Sequence, residues 1–487
     1  MVVGEMVQEI ELVVIGAGPG GYTAALRAAE LGMKVILVDA MPKPGGVCLH
    51  MGCIPSKALL HAAEVINTSQ SAAKFGLHFE KPKLNVDELR TWKVGVTDKL
   101  AQGIVGMCKS AGVEILNGNA RFEDNRSVRV EKDGESATRV KFKHAIVATG
   151  SRPTALPKLF KKEADMQSPR IMDSTGALKI EEIPKTLLVV GGGYIGLEMG
   201  TVYAALGSEV TVVEMTDGLL PGVDRDLVKP LATHLQTAFK AIHLNSKVTS
   251  LEDTGSGVKV GLEGKDLPES LTFDRVLIAV GRVPNSDNLG LENTAVEIDK
   301  HGFVQIDATC RTADKRILAI GDVSGQPMLA HRAMRQGQVV AEVLAGRKSS
   351  FDNRAIPAVV FTEPEIAWCG LTETEAKAAG REVGAAKFPW SASGRAMTLA
   401  DPVGQTKVIY DNETTQVLGV GMVGPRAGEL IAEAVVAIEM GAVLEDLVVA
   451  IHPHPTLSET VMEASMTAIA RIERQRNRET EKQPTRG

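Results

Sequence analysis

Two stretches of the chain alternate apolar runs with glycine-rich turns in the same order. In the first, an apolar run at 12–15 is followed by the turn Gly-Ala-Gly-Pro-Gly-Gly at 16–21, a helical stretch at 22–31 and a second apolar run at 34–38. Short continuous apolar runs bounded by turn residues are typical of buried strands, and the longer stretch between them is typical of a helix. The pattern therefore predicts a strand–helix–strand (βαβ) unit.

The glycines of this turn suit the binding of a dinucleotide. Gly16 permits a tight turn, Gly18 lets a pyrophosphate approach the backbone, and Gly21 lets the helix pack closely on the strand. The N-terminus of the helix then faces the phosphates. Asp39 directly follows the second strand, and its spacing from Gly21 is near that at which a carboxylate accepts hydrogen bonds from ribose hydroxyls.

The same pattern recurs in the middle of the chain, beginning at residue 186. The elements of this second unit are a strand at 186–190, a turn with Gly191, Gly193 and Gly196, a helix at 197–206, a strand at 209–213 and a closing Glu214. Glu214 stands as far after Gly196 as Asp39 stands after Gly21. One such glycine motif is weak evidence, because glycine turns between strands and helices are common for steric reasons. Two complete motifs with equal spacing predict two dinucleotide sites on one chain.

Glu214 also bears on which nucleotide the second site binds. A carboxylate at this position accepts a ribose 2′-hydroxyl and repels a 2′-phosphate. No arginine that could neutralise a 2′-phosphate occurs between Thr216 and Asp224. The sequence therefore predicts NAD rather than NADP at the second site.

The remaining strands and the composition indicate an α/β chain of several domains. Three further apolar runs, at 145–150, 276–281 and 317–322, end in a glycine or, at Asp322, in a carboxylate. The 48 glycines and 4% aromatic residues suit an α/β protein with many tight strand-to-helix turns. At about 150 residues per domain, the 487 residues predict roughly three domains.

Charge and apolar content exclude several classes of partner. The formal net charge is −6 and the basic residues are dispersed, so the basic stripe expected of a nucleic-acid-binding protein is missing. Residues 1–11 are too acidic and too short in apolar run for a targeting peptide, and acids interrupt the apolar stretch at 430–440. We therefore expect a cytoplasmic protein that binds neither nucleic acid nor membranes.

The five cysteines fall into two groups. Three stand alone and are expected to be small buried hydrophobic residues: Cys108, Cys310 and Cys369. Cys48 and Cys53 instead share the segment GGVCLHMGCIPSK at 45–57. A metal clip would need four thiolate or imidazole ligands, and only His50 lies between the two cysteines. A reversible disulfide at the start of a helix, where amide dipoles lower a thiol pKa, is favoured over the metal clip.

The segment at 45–57 resembles the active-site segment of the flavin disulfide reductases, and among these it is most similar to the dihydrolipoamide dehydrogenases. The resemblance extends from residue 12 to about 463. After the first glycine motif and the cysteines, the family's order of motifs continues with Ala-Thr-Gly at 148–150, the second glycine motif, Ala-Ile-Gly-Asp at 319–322, Leu-Ala-His at 329–331 and His-Pro-Thr-Leu-Ser-Glu at 454–459. It implies two Rossmann-like dinucleotide-binding domains and an α+β C-terminal dimerisation domain.

The resemblance implies one tightly bound FAD per subunit and a site for NAD. The residues implied to bind FAD are Gly16, Gly18, Gly21, Asp39, Gly45, Gly46, Lys57, Ala120, Gly150, Asp322 and Ala330. Those implied to bind NAD are Gly191, Gly193, Tyr194, Ile195, Gly196, Glu198, Glu214, Val248, Ala279, Gly281 and Arg282. Lys57 is implied to lie near the flavin N5 and to pair with Glu198, and Tyr194 to lie over the flavin until NAD displaces it.

The C-terminal motif supplies the implied acid–base group. His454 stands five residues before Glu459, a spacing that can orient the imidazole and raise its basicity. In the family this pair reaches the cysteines of the opposite subunit, which implies a homodimer. The implied reaction is the oxidation of protein-bound dihydrolipoamide: His454 takes a thiol proton, the substrate thiolate attacks Cys48, Cys53 is released, and electrons pass through FAD to NAD.

The resemblance also implies partners and a division of the chain. The partners are lipoyl domains and the peripheral-subunit-binding domain of a 2-oxo acid dehydrogenase acyltransferase, or the lipoyl carrier of the glycine cleavage system. The expected parts are an FAD-binding domain at 1–150, an NAD-binding domain at 151–281, a central domain at 282–350 that completes the FAD site, an interface domain at 351–475 and a flexible tail at 476–487. The tail is expected because residues 471–487 are polar and lack apolar periodicity. No metal site is expected.

Three alternatives to this function differ from it at particular residues. Glutathione reductase shares the cysteine spacing and the C-terminal His-Pro, but Glu214 and the Ile-Pro-Ser-Lys run at 54–57 argue against it. Mercuric reductase would carry a vicinal cysteine pair near the C-terminus, which this sequence lacks. A flavoprotein redox sensor without turnover would not need His454 and Glu459.

Overall fold

The computed structural model describes residues 6–482. The N-terminal part contains β1 (Met6–Ile15), α1 (Pro19–Glu30), β2 (Val35–Asp39), α2 (Gly46–Met51), α3 (Cys53–Ser71), α4 (Val86–Ser110), β3 (Glu114–Asn117), β4 (Asn119–Asp124), β5 (Ser127–Glu131), β6 (Thr138–Val147) and β7 (Ser151–Pro153). The middle part contains β8 (Ile171–Met172), α5 (Ser174–Ala177), β9 (Thr186–Val190), α6 (Tyr194–Leu206), β10 (Glu209–Val213), α7 (Arg225–Ala238), β11 (Ala241–His243), β12 (Lys247–Asp253), β13 (Val258–Glu263), β14 (Ser270–Phe273), β15 (Arg275–Ile278) and β16 (Arg282–Pro284).

The C-terminal part contains β17 (Ile317–Ala319), α8 (Ala330–Leu344), β18 (Ala358–Val360), β19 (Glu365–Gly370), α9 (Glu373–Ala378), β20 (Gly384–Pro389), α10 (Gly394–Thr398), β21 (Gln405–Tyr410), β22 (Val417–Gly424), α11 (Ala427–Met440), α12 (Leu444–Val449) and α13 (Glu459–Lys482). Short 3₁₀ helices lie at Ala72–Phe75, Pro157–Leu159, Glu163–Gln167, Leu291–Asn293, Gly321–Ser324 and Trp390–Ala392.

The first predicted βαβ unit lies at the centre of a seven-stranded sheet. Strands β3, β2, β1 and β6 are parallel neighbours, and β17 adds to the sheet as a parallel partner of β6. β5 and β4 extend the sheet beyond β6 in antiparallel pairing. Leu12, Val13 and Val14 are completely buried, because helices and neighbouring strands cover both faces of a parallel sheet.

The second predicted βαβ unit forms a separate sheet of five parallel strands in the order β11-β10-β9-β15-β8. The predicted strands at 186–190 and 209–213 coincide with β9 and β10. The helix α6 begins at Tyr194, three residues before the predicted start, so it includes the end of the glycine motif. The prediction of two Rossmann-like units in an α/β chain is confirmed.

The rest of the chain links and completes these sheets. β7 and β16 pair in antiparallel fashion where the chain enters and leaves the second unit, and β12, β13 and β14 form a small antiparallel sheet beside it. The C-terminal sheet, ordered β18-β19-β22-β21-β20, is antiparallel throughout, and α11 and α13 share a hydrophobic core with it. This is the α+β C-terminal domain that the resemblance predicts.

The expected tail at 476–487 overlaps the last helix. Residues 476–482 belong to α13, and residues 483–487 lie outside the described part of the chain. Glu, Arg and Gln are good helix formers, so a helix that is anchored by its first turns continues through polar sequence without apolar periodicity. The anchor includes the buried side chain of Ile472 and a hydrogen bond from the Arg471 guanidinium to the Ala385 carbonyl.

A buried ionic cluster joins the second βαβ unit to the C-terminal domain. Lys407 Nζ on β21 lies 2.5 Å from Asp224, 2.9 Å from Asp226 and 2.7 Å from Glu373. Burial lowers the pKa of Lys407, but the hydrogen bonds to the carboxylates outweigh it and raise that pKa. Within residues 6–482 these three acids form the one group placed closely enough to hold a metal ion, and the Lys407 ammonium already pairs with all three.

Candidate active site

A cavity of about 610 Å³ opens at the carboxyl ends of β1, β2, β6 and β17, where parallel sheets place their ligands. Its wall includes these members of the predicted FAD group: Gly16, Gly18, Asp39, Gly46, Lys57, Ala120, Gly150, Asp322 and Ala330. It also includes Cys48, Cys53 and, from the predicted NAD group, Tyr194, Ile195, Glu198 and Arg282. The structure therefore brings the cysteines, the first glycine motif and part of the second unit to one cavity.

Glycines let the backbone pack closely at this end of the sheet. A Cβ atom on Gly46 would lie 2.6 Å from the Cα of Gly18, and one on Gly21 would lie 1.8 Å from the carbonyl oxygen of Gly16. Gly21 is not on the wall, and its role is the close packing of α1 against the turn. A cavity of this size with close backbone approach at the start of a helix fits a dinucleotide such as FAD.

A break at Gly52 separates the two cysteines. Cys48 lies in α2 and Cys53 is the first residue of α3, so the pair spans two helices, whereas the sequence predicts a pair at the start of a single helix. A Cβ atom on Gly52 would lie 3.0 Å from the carbonyl oxygen of Val47, so the glycine permits the two helices to approach. Cys53 thereby begins its own helix and is exposed on the cavity wall, and Cys48 is partly buried.

The two thiols have opposite acidities. Hydrogen bonding with the Cys48 thiol lowers the pKa of Cys53 to about 7, and the Lys57 ammonium acts in the same direction against the effect of burial. The same thiol–thiol hydrogen bond, together with burial, raises the pKa of Cys48. The reduced pair therefore carries its negative charge on Cys53.

Lys57 and Glu198 form the ion pair that the resemblance implies. Lys57 Nζ lies 3.0 and 2.8 Å from the two carboxylate oxygens of Glu198, which is 3% exposed. Ser56 Oγ and the backbone N–H of Phe361 also donate to this carboxylate, each at 3.0 Å. The Phe361 ring lies 4.3 Å from Lys57 Nζ, in cation–π contact. Sequence reasoning missed Phe361, because no local signal links it to residues 57 and 198.

Asp322 is held by a serine that sequence reasoning also missed. Ser151 Oγ donates to Asp322 at 2.6 Å, and the Arg282 guanidinium donates to the hydroxyl and the carbonyl oxygen of Ser151 at 2.8 and 2.6 Å. The resemblance implies that Arg282 binds NAD, and the structure places it on the wall shared with the predicted FAD residues. Ser151 directly follows Gly150, and this adjacency is the signal that could have indicated it.

Glu214 is fixed against the second glycine motif. It is 8% exposed, and its two carboxylate oxygens accept hydrogen bonds from the backbone N–H groups of Gly192 at 2.6 Å and Thr216 at 2.7 Å. The Thr216 hydroxyl donates to it at 2.8 Å. The carboxylate is therefore held at the turn between β9 and α6, where the spacing predicts a ribose acceptor.

Other predicted NAD residues lie in this turn, on β12 and in the link from β15 to β16. A Cβ atom on Gly191 would lie 2.5 Å from the carbonyl oxygen of Ala279, so the turn packs against the end of β15. Gly196 is equally tight, since a Cβ atom there would lie 2.4 Å from the Gly191 carbonyl oxygen. Val248 is buried on β12 in one core with the end of β10, and Gly281 takes a φ of +114° between β15 and β16.

His454 and Glu459 form the predicted pair. His454 Nδ1 lies 2.8 Å from Glu459 Oε1, and Oε2 of the same carboxylate accepts from the Thr456 backbone N–H at 2.7 Å. The bond from Thr456, followed by the one from His454, lowers the pKa of Glu459, so the carboxylate is ionised at neutral pH. The His454 side chain is 80% exposed, and it is not on the cavity wall of its own chain.

His452, two residues earlier, has a different environment. Its Nε2 lies 2.7 Å from Glu433 and its Nδ1 lies 2.9 Å from the Ala450 carbonyl oxygen. Both ring nitrogens therefore face acceptors within the C-terminal domain, which leaves His454 as the histidine of this motif with an open ring nitrogen.

No helix within residues 6–482 combines the length and the apolar content that crossing a bilayer requires.

Comparison with known proteins assigns the chain to a family. Residues 10–337 match the pyridine nucleotide-disulphide oxidoreductase model, and residues 356–465 match the dimerisation domain of the same family. The dihydrolipoyl dehydrogenase of Haemophilus influenzae is 48% identical over 93% of both chains. That of Thermus scotoductus is 48% identical over 93% of this chain and 96% of its own.

A solved structure agrees with these matches. The HOCl-induced flavoprotein disulfide reductase RclA of Escherichia coli superposes with a TM-score of 0.82 and 28% identity over 94% of this chain and 99% of that one. Two glycine motifs, a cysteine pair on the wall between them and a matched dimerisation domain agree with the family models along most of the chain. The chain therefore belongs to the pyridine nucleotide-disulphide oxidoreductase family, among the dihydrolipoyl dehydrogenases.

Proposed function

We propose that the protein oxidises protein-bound dihydrolipoamide to lipoamide and reduces NAD to NADH, with FAD and the Cys48–Cys53 pair as its redox groups. The observation that carries this proposal is the convergence of both thiols, the Lys57–Glu198 pair and residues of both nucleotide-binding units on one cavity. The relatives named dihydrolipoyl dehydrogenase support the choice of substrate. FAD, when bound, supplies the two-electron acceptor for the dithiol and the hydride donor for NAD.

The unequal acidities of the thiols set the direction of the sulfur chemistry. In disulfide exchange the thiol with the lower pKa is the better leaving group. A substrate thiolate therefore attacks Sγ of Cys48 in the Cys48–Cys53 disulfide, the S–S bond breaks, and Cys53 leaves as a thiolate near Lys57. The second substrate thiol then displaces Cys48 from the mixed disulfide, which closes the lipoamide ring and leaves the enzyme dithiol with two additional electrons.

His454 is the base in this proposal. Its Nδ1 is hydrogen-bonded to Glu459, so Nε2 presents the lone pair that takes the proton of the substrate thiol. Because the pair is not on the cavity wall of its own chain, we propose that it serves the cysteines of the other subunit in a homodimer. Glu459, which is ionised at neutral pH, orients the ring and stabilises the imidazolium.

The homodimer is supported by apolar side chains on the C-terminal domain. Val436, Met440, Val449 and Ile451 are 62, 79, 76 and 99% exposed, which is unusual for a surface that contacts water alone. The matched dimerisation domain contains all four. We propose lipoyl domains and the peripheral-subunit-binding domain of a 2-oxo acid dehydrogenase acyltransferase, or the lipoyl carrier of the glycine cleavage system, as further partners.

The proposed parts of the chain follow from the same arrangement. We assign FAD binding to residues 1–150 with completion by 282–350, NAD binding to 151–281 and dimerisation to 351–475. The strand β17 supports the assignment of residues 282–350 to the FAD site, because β17 joins the first sheet and is followed by Asp322 on the cavity wall. We propose a cytoplasmic location, since a reducing compartment preserves the three buried thiols outside the cavity.

The function is tested by assaying NADH and NADPH, each with lipoamide and with glutathione disulfide. The kcat/KM for NADH with lipoamide is expected to exceed that of the other three combinations by about a hundredfold or more. NADPH differs from NADH, and glutathione disulfide from lipoamide, in charged or polar groups that the site must recognise. Preference for glutathione disulfide would identify a glutathione reductase. Purified protein that is colourless and does not take up FAD would contradict the proposal altogether.

Glu214→Gln is expected to weaken the preference for NADH over NADPH. The amide oxygen can still accept from the Gly192 N–H, but the negative charge that repels a 2′-phosphate is lost. We expect the ratio of kcat/KM for NADH to that for NADPH to fall about tenfold. Lipoamide KM serves as the control and should stay constant, and an unchanged nucleotide ratio would remove Glu214 from the specificity site.

A further inference from the structure

Two loops of the molecule repeat one another at a constant offset. They are the first loop (residues 40–45) and the second loop (residues 215–220). Each follows the carboxylate that closes a βαβ unit, and the loops are offset by the same interval as the two glycine motifs. Each carboxylate binds the middle of its own motif: Asp39 accepts from the backbone N–H of Ala17, and Glu214 accepts from that of Gly192.

Each loop also binds the carbonyl group of that middle residue. The Gly45 N–H donates to the Ala17 carbonyl oxygen at 2.8 Å, and the Leu220 N–H donates to the Gly192 carbonyl oxygen at 2.9 Å. The middle residue of each motif is thereby held at its N–H by a carboxylate and at its C=O by a loop. These contacts fix each loop against the turn that receives the phosphates.

A side chain from the following helix anchors each loop next to this contact. His50 Nε2 donates to the Pro44 carbonyl oxygen at 2.9 Å, and Arg225 Nη1 donates to the Leu219 carbonyl oxygen at 2.7 Å. The donor lies equally far after the acceptor in both loops, and the two pairs are offset by the same interval as the motifs. Because a carbonyl oxygen only accepts, His50 Nε2 carries the hydrogen, and the contact does not require a charged ring.

The second loop is under strain that the first avoids. Leu220 has a φ of +50°, in the left-handed region that disfavours bulky side chains, whereas its counterpart is Gly45. Arg225 stabilises this strained loop by further hydrogen bonds, from Nη2 to the carbonyl oxygens of Leu220 and Val223, both at 2.5 Å. Gly218 admits the guanidinium, since a Cβ atom there would lie 2.6 Å from Nη1.

We infer that His50 and Arg225 are equivalent positioning residues, each of which holds the loop that closes one glycine motif. The inference rests on the proposed FAD and NAD sites. His50 supports the binding of FAD, and it does so from between the two redox cysteines. Arg225 supports the binding of NAD, and its effect is the larger because it holds Leu220 in a strained conformation.

Single variants of the holoenzyme are expected to separate the two roles. Arg225→Met should raise the Kd for NADH about tenfold and leave the rate of FAD release unchanged, and Arg225→Lys, which retains a donor for Leu219, should restore most of the affinity. His50→Leu should accelerate FAD release about threefold and leave the Kd for NADH unchanged, and His50→Gln should restore slow release. Titration with NADH and release of flavin into buffer measure the two effects.

Arg381→Met is the matched control, because it removes an exposed arginine whose one ion pair, with Asp411, spans 3.6 Å; neither measurement should change. If Arg225→Met does not fold, Gly218→Ala displaces the same guanidinium and must give the same NADH defect. The inference is overturned if the NADH affinity of Arg225→Met is native, if His50→Leu releases FAD at the native rate, or if either variant affects both nucleotides equally. Failure of the proposed function appears separately, as native holoenzyme that does not oxidise dihydrolipoamide.

Discussion

Cys48→Ser is expected to abolish dihydrolipoamide oxidation while NADH still reduces the bound flavin. A serine hydroxyl cannot form the mixed disulfide with the substrate, so turnover should fall by about a thousandfold or more. Electron transfer from NADH to the flavin does not pass through Sγ of Cys48, so anaerobic NADH should still bleach the flavin absorbance. Steady-state NADH formation and anaerobic titration at the flavin band measure the two half-reactions separately.

A buried cysteine outside the cavity supplies the control for this experiment. Cys369→Ala removes a 1% exposed thiol on β19 and should retain lipoamide turnover. Cys53→Ser should also lose turnover, because it removes the leaving thiolate whose pKa is lowered to about 7. Lipoamide turnover in Cys48→Ser near the native rate would refute the assignment of the attacked sulfur.

The two βαβ units could be predicted because their signals are local. β9 (Thr186–Val190) and β10 (Glu209–Val213) begin and end where the apolar runs do. The glycines between strand and helix are required by contacts within a few residues of the turn, as Gly196 is by the carbonyl oxygen of Gly191. Patterns of this kind depend on backbone geometry over short distances, and a single sequence contains that information.

Contacts between distant segments could not be predicted in the same way. The hydrogen bond from the Phe361 N–H to Glu198 joins residues 163 positions apart, and the cluster around Lys407 joins residues up to 183 apart. Neither the hydrogen bond nor the cluster is marked by a spacing or a periodicity of residues in the sequence. The implied partners Lys57 and Glu198 are close in the structure, but their pairing comes from the resemblance and not from the pattern of the chain.

The extent of α13 illustrates a second limit. The residues after 472 lack apolar periodicity, yet α13 continues to Lys482 because its earlier turns are anchored in the C-terminal core and Glu, Arg and Gln are good helix formers. A loss of apolar periodicity therefore does not mark the end of a helix that packing has already nucleated. The break between α2 and α3 does have a local signal, because Gly52 is followed by Pro55, which lacks the N–H that one continuous helix would need.

His454→Gln is expected to lower lipoamide turnover by about a hundredfold to ten-thousandfold, the usual contribution of a general base. Reduction of the flavin by NADH should remain native, because no thiol proton is transferred in that half-reaction. Glu459→Gln should cost only about tenfold, since an amide oxygen can still accept from Nδ1–H. The pKa of Glu459 is lowered, so its contribution is present at neutral pH and is lost only as acid protonates the carboxylate.

His61→Gln is the matched control for this variant. His61 also forms an exposed pair with a glutamate, with Nδ1 3.2 Å from Glu64, and should leave turnover unchanged. A loss of less than about tenfold in His454→Gln would exclude it as the base.

Mixed dimers test whether the base acts on the other subunit. Neither Cys48→Ser nor His454→Gln homodimers have an intact site. A dimer with one subunit of each kind contains one native combination if His454 reaches across the interface, in which Cys48 comes from the His454→Gln subunit and His454 from the Cys48→Ser subunit. Random co-assembly of equal amounts should therefore restore about a quarter of native turnover, since half of the dimers are mixed and each has one working site of two. If His454 acted within its own chain, the mixture would be as inactive as its parents.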